Sequence, residues 1–158
     1  MKLALVPLVI AMSLTAANAR SASPERARQP VSQVADANRA ATVEPKSQGF
    51  VNAVQVYPFS EGAIYQLYAA PGAVTDIALQ PGEGLIAVAS GDTVRWVIGD
   101  TTSGSGPDKR THVLVKPFSA GLSTNLVITT DRRSYHLQLT ATSKTAMTAV
   151  SWTYPADQ

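Results

Sequence analysis

Ser134-Tyr135-His136-Leu137-Gln138-Leu139-Thr140 sets Tyr135, Leu137 and Leu139 against Ser134, His136, Gln138 and Thr140. Successive side chains of an extended chain point to opposite faces, so the apolar trio faces a core and the polar set faces water or a neighbouring subunit. Residues 125–130 form a second β-branched run, and Thr130-Asp131-Arg132-Arg133 between the two reads as a hairpin turn. Further upstream, short runs at 64–68, 74–79, 85–89 and 112–116 are separated by Ala70-Pro71-Gly72, Gln80-Pro81-Gly82-Glu83-Gly84 and Ser90-Gly91-Asp92. Val54, Val56 and Pro58 alternate with Gln55 and Tyr57, and Val94, Trp96 and Ile98 of the run 93–98 share a face opposite Arg95. Residues 99–109, rich in Gly, Ser, Thr and Asp, read as a flexible loop, and 149–154 as the last strand. Short alternating runs with turn signals at near-regular spacing predict an all-β fold, a β-sandwich of short, mostly antiparallel strands.

The N-terminus reads differently. Lys2 precedes an apolar run from Leu3 to Thr15, broken only by Pro7 and Ser13, and Ala17-Asn18-Ala19 follows. This is the pattern of a secretory signal peptide, with cleavage expected between Ala19 and Arg20. The run falls short of the roughly 20 apolar residues that span a bilayer. Residues 20–49 carry Pro24, Pro30 and Pro45 with much Ala, Ser and Gln, and predict a mobile leader in which a short helix over 32–41 is marginal. The expected organisation is therefore a signal peptide over 1–19, a leader over 20–49 and a β-sandwich domain over 50–158.

Composition narrows function mostly by exclusion. The 158 residues contain no cysteine, which removes disulfides and thiolate metal sites. Formal net charge is only +2, with 13 Lys and Arg against 11 Asp and Glu, so bulk electrostatics predict no nucleic-acid binding. The two histidines, His112 and His136, sit in expected strands without a second imidazole at metal-ligand spacing, and read as structural. Ser103-Gly104-Ser105-Gly106 lacks the Gly-Lys-Ser/Thr of a phosphate loop, and no G-x-S-x-G elbow occurs. Trp96, Trp152 and Tyr154 read as core. No catalytic, cofactor or metal residue is assigned, and the chain is expected not to be an enzyme.

Several segments, in order, carry a resemblance. They are Ala63-Ile64-Tyr65-Gln66-Leu67-Tyr68-Ala69-Ala70-Pro71-Gly72, Thr75-Asp76-Ile77-Ala78-Leu79-Gln80-Pro81-Gly82-Glu83 and Ala89-Ser90-Gly91-Asp92-Thr93-Val94-Arg95-Trp96. His112-Val113-Leu114-Val115-Lys116-Pro117, Gly121-Leu122-Ser123-Thr124-Asn125-Leu126-Val127-Ile128-Thr129-Thr130-Asp131-Arg132-Arg133-Ser134-Tyr135 and Val150-Ser151-Trp152-Thr153-Tyr154-Pro155 follow. Together they resemble the N-terminal domain of the TrbG/CagX-type proteins of type IV secretion and conjugal transfer. The resemblance implies a periplasmic structural component of the outer-membrane core complex, built on a β-sandwich. It implies rings formed with copies of itself and with a scaffold protein spanning both membranes. It also implies a contact with an outer-membrane lipoprotein through a C-terminal domain. No counterpart of that domain follows Pro155, so a truncated, fragmentary or split form is expected and the lipoprotein contact is not carried over.

Within the resembling segments, Gly72, Gly82, Gly91 and Gly121 fall where turns need unusual backbone angles. Asp92 and Arg95 are spaced to pair across a strand start. Asp131 is expected to accept backbone hydrogen bonds in its own hairpin turn and to hold Arg132 and Arg133 outward, making Asp131, Arg132 and Arg133 the candidate subunit interface. The alternatives are a periplasmic carbohydrate- or peptide-binding sandwich, which would expose Trp or Tyr in a concave groove, and a hydrolase, which would place a His beside a Ser.

Overall fold

The computed structural model describes residues 29–158. The expected signal peptide and the Ala19–Arg20 cleavage site lie outside the described residues. Helix α1 (Pro30–Ala41) opens the described chain, followed by β1 (Thr42–Val43), β2 (Phe50–Val51), β3 (Val54–Pro58), β4 (Ile64–Ala69), β5 (Thr75–Ala78) and β6 (Leu85–Ser90). Then come β7 (Trp96–Ser103), β8 (Arg110–Pro117), β9 (Ser123–Thr130), β10 (Ser134–Ala141) and β11 (Ala149–Thr153). One sheet has the order β1-β4-β10-β9-β6 and the other β2-β3-β11-β5-β8-β7.

The strand whose alternation is clearest in the sequence is the middle of the first sheet. Tyr135, Leu137 and Leu139 of β10 are buried, Ser134 and His136 are exposed, and Ser134 pairs with Thr129 across the expected hairpin. Against them the second sheet sets Tyr57, Ile77, Val113, Val115, Val150 and Trp152. Closing the two inner faces over one another removes these side chains from water at about 25 cal/mol per Å² of apolar area. One end of the core is aromatic: the Trp152 ring lies 4.7 Å from that of Tyr135 and 5.4 Å from that of Tyr65, and Phe59 meets Tyr135 edge-on at 5.3 Å.

Five of the nine strand pairings are antiparallel and four are parallel, so both sheets are mixed. From β3 to β7 the chain changes sheet at every step, so neighbours within a sheet come from distant segments. β4 thus pairs with β10 in parallel, Leu67 against Leu139.

Several local expectations are corrected. In β3 the inward residues are Gln55 and Tyr57, each 2% exposed, while Val54 and Val56 face outward half-buried. The Tyr57 hydroxyl donates to the Gln66 carbonyl at 2.7 Å, which makes burying the ring affordable. β7 begins at Trp96 and runs to Ser103, into the expected loop, because its backbone pairs along all of β8. Val94 precedes it, 80% exposed, and does not share the Trp96 face. The leader boundary also moves. β1 adds to the edge of β4, so the sandwich begins upstream of residue 50, while α1 has no buried residue. Gly72, Gly82 and Gly121 do have positive φ, whereas Gly91 does not. A side chain at Gly91 would instead sit 2.5 Å from Asn125 Oδ1.

Candidate functional site

Two of the sequence segments singled out above meet the C-terminal turn at the aromatic end of the sandwich. Turn 80–83 contributes Gln80 and Glu83, the β9–β10 hairpin contributes Asp131, Arg132 and Arg133, and the 3-10 turn Pro155–Asp157 contributes Asp157. The Glu83 side chain is fully buried. Its carboxylate accepts from Tyr135 Oη at 2.7 Å, from Thr130 Oγ1 in a close contact, and from the Gln80 backbone N–H at 3.3 Å. Burying a carboxylate is costly unless donors surround it and a cation lies beside it.

The cation is Arg133. Its Nε lies 3.5 Å from Glu83 Oε1 and its Nη2 donates to Asp157 Oδ2 at 2.7 Å and to Gln80 Oε1 at 2.9 Å. The guanidinium stacks 4.2 Å from the Tyr154 ring centre and 5.1 Å from that of Phe59. Arg133 is therefore not held outward: only 11% of its side chain is exposed, and it locks three segments together. Burial works against its charge, but the hydrogen bond to Asp157 and the nearby anions keep it firmly protonated. The Arg133 and Gln80 hydrogen bonds in turn hold the Asp157 carboxyl below its ordinary range. Burial pushes the Tyr135 hydroxyl far up, with Tyr154 and Glu83 adding to it, so it remains a donor.

The other two members of the expected interface behave differently. Arg132 is exposed and reaches back to Gln80 Oε1 at 2.9 Å. Asp131 accepts not within its own turn but from the Gly84 backbone N–H at 2.8 Å, while its own N–H donates to the Gly84 carbonyl at 2.9 Å. It pins turn 80–84 to the hairpin. A groove of about 540 Å³ opens beside this clasp, lined by Phe59, Glu61, Arg132, Arg133, His136 and Asp157. Two of its ionic lining groups, Arg133 and Asp157, are already paired with one another.

At the far border, Asp92 Oδ1 accepts from the backbone N–H groups of Val94 at 3.1 Å and Arg95 at 3.0 Å, and its Oδ2 accepts from Arg95 Nε at 2.6 Å. The Arg95 backbone N–H, more than any other group, holds the Asp92 carboxyl below its ordinary range. The pair shapes the approach to β7.

His112, read as a lone strand histidine, is not alone. Its Nδ1 lies 2.9 Å and 3.0 Å from the two carboxylate oxygens of Asp76, and its Nε2 lies 2.7 Å from Ser103 Oγ. Periodicity could not find this trio, because its members come from β5, β8 and β7. His136 is exposed at the rim of the clasp groove. Both tryptophans are buried, at 3% and 5% exposure, so neither offers the sugar-binding platform that a carbohydrate-binding sandwich would need. Among the described residues no cluster of metal-ligating side chains occurs, and no helix is long and apolar enough to cross a membrane.

Residues 52–158 match the CagX family model, described as a conjugal transfer protein. A probable conjugal transfer protein TrbG of Sinorhizobium fredii (strain NBRC 101917 / NGR234) is 44% identical over 87 residues, which cover 55% of this chain and 32% of that protein. The chain thus spans about a third of the length of the curated relative it matches. Among solved structures, domains 4 and 5 of the S-layer protein SbsC align with a TM-score of 0.39 and 18% identity over 53% of this chain and 50% of that one, a likeness too distant to argue from.

Proposed function

This chain belongs to the CagX family of conjugal transfer proteins, and from that premise we propose that it is a structural subunit of the type IV secretion core complex in the periplasm. It packs side by side with copies of itself and against a membrane-spanning scaffold protein. The observation that carries this reading is where apolar surface is left uncovered. Of the large hydrophobic side chains exposed, Val31, Val34, Phe50 and Val51 belong to α1 and β2, at the border formed by β1 and β2. Ile86, Val94, Val97 and Phe118 belong to the opposite border, on or beside β6 and β7. Among the described residues only Val74 lies elsewhere, beside the turn between β4 and β5.

Edge strands are normally blunted by Lys, Pro or bulges that prevent them pairing with other chains. The sequence of β6, Leu-Ile-Ala-Val-Ala-Ser, carries no charge and no proline. Its one register shift lies between Leu85 and Ala87, leaving Ile86 69% exposed. Uncovered apolar residues concentrated on two opposite borders suit head-to-tail packing, which closes into a ring when the rotation allows. Within the clasp, Arg133 and Glu83 are turned inward, and the exposed Asp131 and Arg132 are its candidate contact residues.

The test is Ile86→Lys in the protein expressed with its conjugation partners. Unchanged melting of the purified domain, with loss of high-mass core complex and of DNA transfer, is expected. Assembly at the normal level would rule out the β6 border as a contact.

A further inference from the structure

The outer face of the second sheet carries an arrangement that assembly does not explain. β8 lies between β5 and β7, with His112 directly opposite Ala78 on one side and Thr101 on the other. Asp76 is two residues from Ala78 and Ser103 two residues from Thr101, so both share the face of His112 and flank it on opposite diagonals. The imidazole bridges them, with 2.9 Å from Nδ1 to Asp76 Oδ1 and 2.7 Å from Nε2 to Ser103 Oγ.

With the ring neutral and the carboxylate ionised, the roles of the three groups are as follows. An ionised carboxylate only accepts, so Nδ1 carries the hydrogen that faces Asp76. In the neutral ring Nε2 is then the acceptor, and the Ser103 hydroxyl donates to it. A hydroxyl hydrogen-bonded to an imidazole that a carboxylate orients is the arrangement that makes a serine nucleophilic. Ser103 is exposed, whereas only 17% of the His112 side chain and 34% of the Asp76 side chain is accessible. The nucleophile faces solvent and its supporting pair is partly shielded.

We propose that Ser103 is an activated nucleophile that accepts acyl groups from small activated esters, with His112 as general base and Asp76 as the residue that positions it. Ser103 Oγ attacks the ester carbonyl while its proton passes to His112 Nε2. The Oγ–carbon bond forms, the bond from carbon to the leaving alkoxide or phenolate breaks, and His112 returns the proton to the leaving oxygen. Water then releases the acyl group as a carboxylic acid by the same steps, with His112 taking a proton from the water. Asp76 keeps its hydrogen bond to Nδ1 throughout. The site sits on an open strand face, which restricts it to donors with good leaving groups that arrive from bulk solvent. The competing role is a polar ladder that only ties β5, β8 and β7 together, and it predicts no reactivity above that of an ordinary serine.

The experiment exposes the purified full chain to p-nitrophenyl acetate, and separately to a fluorophosphonate probe, with intact mass and tandem mass spectrometry as readouts. The expected result is a single adduct mapped to Ser103, unchanged in Ser105→Ala and lost in Ser103→Ala. His112→Gln should slow labelling about 100-fold or more. Asp76→Asn should slow it as well, with partial recovery in Asp76→Glu, at temperatures where circular dichroism shows each variant folded. Labelling of the wild-type protein at the rate of Ser103→Ala, or an adduct mapped to any other residue, would overturn the proposal without depending on how any variant folds.

Discussion

Arg133 and Arg132 are adjacent in sequence and opposite in consequence. Arg133→Ala leaves the fully buried Glu83 carboxylate without its cation, and breaking a buried pair in this way costs about 3 kcal/mol or more. Urea denaturation should show that loss. Arg132→Ala removes only an exposed bond to Gln80 and should change stability by less than about 1 kcal/mol. Reversing both charges at once would therefore unfold the clasp before reporting on any interface, and Arg132→Glu alone is the informative variant for assembly. Acid sensitivity belongs to the same cluster. The Asp157 carboxyl is held below its ordinary value by Arg133 and Gln80, so in the acid range the folded state binds fewer protons than the unfolded one. Its stabilisation is complete above the ordinary aspartate value of about 3.9 and is lost as pH falls through the lower folded-state value. Melting temperature against pH should thus fall less steeply at the acid end in Asp157→Asn than in the parent.

At the scale of elements, α1 and β10 mark the extremes. α1 is 12 residues long with none buried, and an isolated helix of that length is marginal in water. Its amides should exchange within the dead time of a manual hydrogen-exchange experiment, and removing residues 1–41 should leave the melting temperature within a few degrees. Strong protection of α1 in the isolated chain would show that it is docked. In the assembled complex, protection of α1 is the outcome its exposed Val31 and Val34 predict. β10 is the opposite case, with Tyr135, Leu137 and Leu139 inside and pairing partners on both sides.

For the whole molecule, the topology sets the speed of folding. β10 pairs with β4, about 70 residues earlier, and β11 joins β3 and β5 from the far end of the chain. Such non-local pairing places folding in the millisecond-to-second range typical of sandwiches, which stopped-flow tryptophan fluorescence through the buried Trp96 and Trp152 can measure. The same topology separates what was legible in the sequence from what was not. Period-two alternation and turn residues are local properties, and they were enough to read the all-β sandwich, the 130–133 hairpin and the inward face of β10. The Asp92–Arg95 spacing was legible for the same reason. Strand order was not, because hydrogen-bonded neighbours separated by many residues leave no local signature, and the four parallel pairings went unseen with it. Nor was the inward face of β3, where Tyr57 wins over Val54 and Val56 by finding a carbonyl for its hydroxyl. Arg133 reads as an outward-facing hairpin residue because its anion, Glu83, lies fifty residues earlier. Ser103, His112 and Asp76 looked unrelated because each is unremarkable on its own strand. Sequence alone determined the periodicity of the elements and the family they belong to. The tertiary structure alone decided which charges are buried and which side chains meet, because both depend on contacts between segments that the order of residues does not place together.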